Sequence, residues 1–130
     1  MWAFLLVALG SALGGVARYA AALWVNPRAT WAWGWPVGTL LVNVLGCFLL
    51  SLVNEGVLRG FPLRPELRLL ITTGFCGGFT TYSTFNHETV KLFEERSWAG
   101  VGYGLATVLC CLGAHAVAVG IAHSLAGRSA

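Results

Sequence analysis

Aspartate is missing from this chain altogether, and charged residues of every kind make up only 10% of its 130 positions. An ordinary soluble domain carries roughly a quarter, so a soluble enzyme working through exposed carboxylates is excluded. Basic blocks are missing too. The net charge of +3 is dispersed along the chain, with no Lys/Arg stripe interleaved with aromatics, which argues against nucleic-acid binding. No C-x-x-C pair occurs, and Cys47, Cys76, Cys110 and Cys111 all fall inside apolar runs. An extracellular disulfide framework would not be placed there, and the four read as reduced, small packing residues. No basic region precedes the apolar stretch from Met1 to Val16, so it reads as the start of a membrane span and not as a cleaved signal peptide.

What the chain has is hydrophobic sequence, 57% of all residues, with a mean hydropathy of +0.73. The length allows about four spans of about 20 residues, each crossing about 30 Å of hydrocarbon at about 1.5 Å per residue. No separate soluble domain fits beside them. The expected organisation is one all-α membrane domain over residues 1–130, with spans at about 2–25, 37–57, 67–93 and 98–125. The first run ends at Asn26-Pro27-Arg28, a turn-forming group. Trp31, Trp33 and Trp35 follow it, as in the aromatic belt of a bilayer interface. Arg59, Pro62, Arg64 and Pro65 separate the second run from the third.

The third run has an unusual middle: Gly74, Gly77 and Gly78 are followed at once by Thr80, Thr81, Ser83 and Thr84. Glycine is a poor helix former, and hydroxyls can bond to freed backbone groups. Irregular backbone at that depth is tolerated only where it is buried in protein or lines a wet cavity, so a break here would point to an ion or substrate site. A continuous helix with a glycine packing face is the alternative.

Orientation follows the Lys/Arg bias between alternate loops. Arg59, Arg64, Arg68 and Arg128 fall on one side; Arg28, Lys91 and Arg96 fall on the other, with Arg18 if it snorkels there. That is no bias, and a protein without one is free to insert both ways and pair head to tail.

Polar residues recur every fourth position inside the spans: Thr39, Asn43, Cys47, Ser51 and Glu55 in the second, Thr80, Thr84 and Glu88 in the third, Tyr103, Thr107, Cys111 and His115 in the fourth. That spacing keeps neighbours on one helix face. Such faces should look toward protein or water rather than lipid; either they line a pathway or they hydrogen-bond helices together. Four thin helices enclose little water by themselves, so an oligomer is expected. The pairs Gly10/Gly14, Gly74/Gly78 and Gly100/Gly104 would permit close helix approach.

Donors outnumber fixed negative charges within the spans. Arg18, the Asn43 amide and the hydroxyls near the break stand against Glu88, with Glu55 near an end, and this favours a small anion as cargo. Tyr82 and Phe85 add ring edges, where the aromatic quadrupole is positive. Cys111 and His115 share a face but supply two of the three or four ligands a metal commonly takes, and His123 reads as interfacial. Ser83 and His87 lack the carboxylate and oxyanion partners of a hydrolase, so no enzyme is expected.

Three stretches carry a resemblance: Gly14-Gly15-Val16-Ala17-Arg18-Tyr19, Gly38-Thr39-Leu40-Leu41-Val42-Asn43-Val44-Leu45-Gly46, and Thr73-Gly74-Phe75-Cys76-Gly77-Gly78-Phe79-Thr80-Thr81-Tyr82-Ser83-Thr84-Phe85. With four spans in 130 residues, the whole chain resembles the CrcB/Fluc family of fluoride channels. The resemblance implies a fluoride exporter of the inner (plasma) membrane, built as an antiparallel, dual-topology homodimer with two narrow pores. It would place Asn43 in the pore as an amide donor, Arg18 at an entrance vestibule, and Tyr82 and Phe85 with ring edges toward fluoride. Ser83, Thr84, Thr39, Tyr103 and Thr107 would join a polar track. The backbone carbonyls of Gly77 and Thr80 from both subunits would bind a central structural sodium ion. Tyr82 stands where better-known members carry Phe, and Thr107 where Ser is expected. Two other readings remain: a small multidrug-type cation/proton antiporter, which should carry an acid in the first span where this chain has Arg18, and a non-transporting membrane assembly subunit.

Overall fold

The structure, a computed structural model, describes residues 1–28 and 34–127. Trp31, Trp33 and Arg128 lie outside the described residues, as does the Arg28 side chain. Every regular element among the described residues is helical. Three helices are long and apolar enough to cross a membrane: α1 (Trp2–Val25), α2 (Val37–Leu58) and the last helix, Ser97–Ala126. The third apolar run is not one helix. It forms α3 (Pro65–Leu69), a π-helical segment (Leu70–Cys76), a short α4 (Gly77–Phe79) and, beyond a break, α5 (Tyr82–Glu95). Ser97–Ala126 is therefore α6.

Helix ends follow local chemistry. Past α1, the Asn26 side chain accepts the Gly38 amide of α2 at 2.7 Å, which ties the two helix ends together. α2 closes on the two-bond glycine cap: Phe61 N–H donates to the Gly56 carbonyl and Gly60 N–H to that of Val57, both at 3.1 Å, with Gly60 at φ +88°. The Phe61 ring then covers Gly56. Pro65 opens α3 at a position where its missing N–H costs nothing.

α1 packs backbone to backbone against the third run. A Cβ on Gly10 would lie 2.7 Å from the Gly74 Cα, and one on Gly78 would lie 2.8 Å from the Ser11 Cα. Two of the small-residue pairs, Gly10/Gly14 and Gly74/Gly78, thus face each other, and Ser11 Oγ donates to the Gly74 carbonyl at 3.3 Å. Gly100 allows the α5–α6 reversal, since a Cβ there would meet the Phe93 backbone at 2.6 Å.

α2 and α6 run parallel and in register. Ser51 meets His115, and Arg59 meets His123; each pair is separated by 64 positions. The same offset pairs Thr39 with Tyr103, Asn43 with Thr107 and Cys47 with Cys111, so the two four-residue stripes form the rungs of one polar ladder. The opposite faces are apolar and exposed, with Leu5, Leu9 and Leu13 on α1 and Leu105, Leu109 and Leu112 on α6. Only 11–22% of the most apolar window of the three long helices is buried, the pattern of helices whose outer solvent is lipid.

Trp35, the one connecting tryptophan that is described, turns inward. It meets Tyr103 edge-on with centroids 6.0 Å apart, in space left by Gly102.

Candidate functional site

The break falls at Thr80–Thr81, where both residues are extended (φ −84°, ψ 158° and φ −152°, ψ 116°). Extended backbone in a helical run frees amides and carbonyls, and each must find a partner at membrane depth. Asn43 of α2 supplies two: its Oδ1 accepts the Thr81 N–H at 2.8 Å, and its Nδ2 donates to the Thr81 carbonyl at 3.2 Å. This side chain, 9% exposed, acts as a clasp on the break and keeps one N–H proton in reserve. Thr81 also caps α5. Its Oγ1 accepts the Thr84 N–H at 3.2 Å and donates to Thr84 Oγ1 at 3.0 Å, and Ser83 Oγ lies 3.3 Å from it. On the other side of the break, Arg18 Nε donates to the Gly78 carbonyl at 3.2 Å.

These bonds single out two carbonyls. In an uninterrupted helix the amides of Thr81 and Thr84 would bond to Gly77 and Thr80; here they are held by Asn43 Oδ1 and Thr81 Oγ1. The space over Gly77 is open, with nothing within 4 Å of where a Cβ would stand.

Gly77, Thr80, Asn43, Tyr82, Phe85 and Thr107 all line one cavity of about 690 Å³ that opens on the face of the chain. Tyr82 is 77% exposed there. Its ring leads inward through Phe85 (centroids 6.0 Å apart) to Tyr103 (5.6 Å). The Thr107 hydroxyl is buried and has no hydrogen-bonding partner among the described residues.

A second cavity, of about 240 Å³, lies behind the break and is lined by Arg18, Thr39, Thr81, Thr84 and Glu88. Glu88 is held from two helices: Thr39 Oγ1 donates to Oε1 at 3.0 Å and Tyr103 Oη to Oε2 at 3.3 Å.

Ten of the eleven residues singled out in the sequence lie at the break or line one of the two cavities beside it, and Tyr103 reaches them through Phe85 and Glu88. Sequence reasoning named Thr81 only as part of a hydroxyl run, although it is both clasped and clasping, and placed Glu88 on a polar stripe without finding its partners. The hydroxyl-rich run was the available signal for Thr81; the contacts of Glu88 come from residues 49 and 15 positions away and leave no local trace. Arg68, counted only for orientation, is fixed by the Asn54 side chain at 2.8 and 3.0 Å.

Apolar helices with outward-facing leucines, a broken helix among them and a cavity at the break into which a few polar groups project define a small multi-pass membrane protein with an interrupted helix. Residues 5–121 match the family described as CrcB-like protein, Camphor Resistance (CrcB), and the chain belongs to that family. Among its relatives, a Fluoride-specific ion channel FluC of Anaeromyxobacter dehalogenans is 48% identical over 126 residues, 95% of this chain and 97% of the relative. Proteins of the same name are similar in Sorangium cellulosum (42% over 92% of this chain and 93% of the relative) and Geobacter sulfurreducens (46% over 86% and 90%).

Proposed function

We propose that this chain is a fluoride-selective passive channel, not an enzyme, that lets cytoplasmic fluoride leave across the inner (plasma) membrane and so limits its toxicity. The observation that carries this reading is the clasped break. It gathers an amide proton of Asn43, the Thr107 hydroxyl and the rings of Tyr82 and Phe85 around one cavity with no carboxylate in its lining. Fluoride is small and strongly hydrated, so its route must replace water with donors at close range; rings presented edge-on face an anion without adding a fixed charge. Ser83, Thr84, Thr39 and Tyr103 extend the hydroxyl track toward Glu88, and Arg18 forms the vestibule on the second cavity. The names borne by relatives at 42–48% identity support the same cargo.

The working unit is an antiparallel, dual-topology homodimer of four-span chains, in contact with membrane lipid. Its support is the even Lys/Arg distribution and the openness of the larger cavity, which a second copy would close. A structural sodium ion suits the dimer centre, because the Gly77 and Thr80 carbonyls have lost their helical donors and sodium takes backbone oxygens. There it would contribute a fixed positive charge between two facing breaks.

An antiporter of the small multidrug type needs a titrating acid in the first span, and α1 has none in its 24 residues. Liposomes loaded with potassium fluoride separate the readings. A channel releases fluoride to an electrode when valinomycin relieves the charge imbalance, an antiporter gives drug-coupled proton flux, and an assembly subunit gives neither.

A further inference from the structure

The ladder between α2 and α6 contains one rung made of sulfur. Cys47 and Cys111 face each other at the common offset of 64 positions, one helical turn before the Ser51–His115 pair on each helix. Neither is sealed in, since both are part-exposed and line the cavity of about 690 Å³. The rungs on either side are Asn43–Thr107 and Ser51–His115, and the latter pair lies 2.8 Å apart. Of the remaining cysteines, Cys76 also borders this cavity but is buried at 2% exposure, and Cys110 is exposed beside Leu109 on the outer face of α6.

We propose that the Cys47–Cys111 rung is a binding site for a soft divalent d10 cation of the mercury(II) class, held linearly between the two sulfurs. Thiolates select soft metals, and two ligands meet the needs of a linear ion but not of zinc, which takes four-coordinate sites. Among the described residues no group of three or more His, Cys, Asp or Glu stands ready to complete a larger shell. The balance is simple: each thiol loses its proton, two S–Hg bonds form, two protons leave through the cavity, and mercury remains in the +2 state. Charge favours the divalent ion, because two thiolates neutralise it and no net charge is left at membrane depth, where an uncompensated one would be costly. The bound ion sits one rung from Asn43, so it obstructs the fluoride route; this consequence rests on the channel reading given above.

The test uses purified full-length protein and mercury(II) chloride as the probe. Intact-mass spectrometry of the parent should show one species heavier by one mercury less two protons. A single thiol would retain chloride, so a monothiol adduct has a different mass. Cys76→Ser and Cys110→Ser should keep the bridged species, and Cys47→Ser and Cys111→Ser should lose it. In liposomes, stoichiometric mercury should abolish most fluoride efflux from the parent, and excess dithiol should restore it. A bridged species that survives in Cys47→Ser, or that vanishes in Cys76→Ser or Cys110→Ser, overturns the site. Should parent liposomes release no fluoride before mercury is added, the channel reading fails, while the mass result still decides the site.

Discussion

Replacing Asn43 by Asp changes one amide group to a carboxylate with almost no change in shape, and the structure separates its consequences. The carboxylate can still accept the Thr81 N–H, a bond of 2.8 Å in the parent. It cannot donate to the Thr81 carbonyl, which now loses its partner at 3.2 Å and faces a negative oxygen; leaving such a group unsatisfied costs about 1–3 kcal/mol. The effect on the ion is larger. A fluoride passing about 4 Å from a fixed negative charge, at an effective dielectric of about 20, meets a repulsion of about 4 kcal/mol. At about 1.4 kcal/mol per tenfold, this lowers occupancy by nearly a thousandfold. Efflux from liposomes, followed with a fluoride electrode, should fall accordingly. Hydrogen exchange supplies the second readout: the Thr81 amide should stay protected in Asn43→Asp but exchange freely in Asn43→Ala, which removes the acceptor as well. If Asn43→Asp carried fluoride within a factor of a few of the parent while Thr81 remained protected, the break would be held as described, but the ion would not pass Asn43.

Phe85→Ile keeps the apolar volume and removes the quadrupole, so fluoride efflux should drop strongly while the size-exclusion profile stays that of the parent; Tyr82→Phe keeps the ring and should be milder than Tyr82→Ile. Equal rates for parent and Phe85→Ile would make the ring a packing element. Gly78→Ala drives a methyl into the Ser11 backbone, 2.8 Å from its Cα, and should cost about 1–3 kcal/mol. Gly120→Ala, with nothing within 4 Å, should be neutral or slightly stabilising; thermal loss of the size-exclusion peak measures both. C-terminal reporter fusions should reveal both orientations in the membrane, and a single orientation would contradict the antiparallel dimer. Because the proposed sodium ligands are main-chain oxygens, Thr80→Ser should preserve the ion's density in crystals, and a bulky residue at Gly77 should displace it.

Helix bounds were legible in the sequence because long apolar runs between turn-forming residues favour uninterrupted helices: α1 covers Trp2–Val25, and α2 and α6 extend the apolar runs by one residue or so, to Leu58 and over Ser97–Ala126. The third run shows where such reading stops. Its glycines and hydroxyls announced an interruption, but hydropathy treats 67–93 as one stretch. What fixes the break at Thr80–Thr81 is a hydrogen-bonding pair from α2, 38 positions away. The π-helical turn at Leu70–Cys76 had no signal in composition at all. The four-residue stripes were visible one helix at a time. That two of them meet rung by rung depends on α2 and α6 lying parallel, a fact of topology that no local pattern carries. Cys47 and Cys111 therefore read separately as packing residues until the register joined them.

The constant offset of 64 positions between the rungs has a consequence for the history of the chain. Two helices read against each other in a shared frame behave as one inherited unit, although more than thirty residues separate the end of one from the start of the other. An insertion in the intervening loops shifts the offset but spares every rung, whereas one inside either helix misaligns all the rungs beyond it. A crossover between two relatives placed in that interval joins α2 of one parent to α6 of the other and mismatches each rung at which the parents differ. Paired exchange of both helices should give folded hybrids where single exchange fails, and substitutions at 47 and 111, or at 51 and 115, should accumulate together in descendants of this sequence.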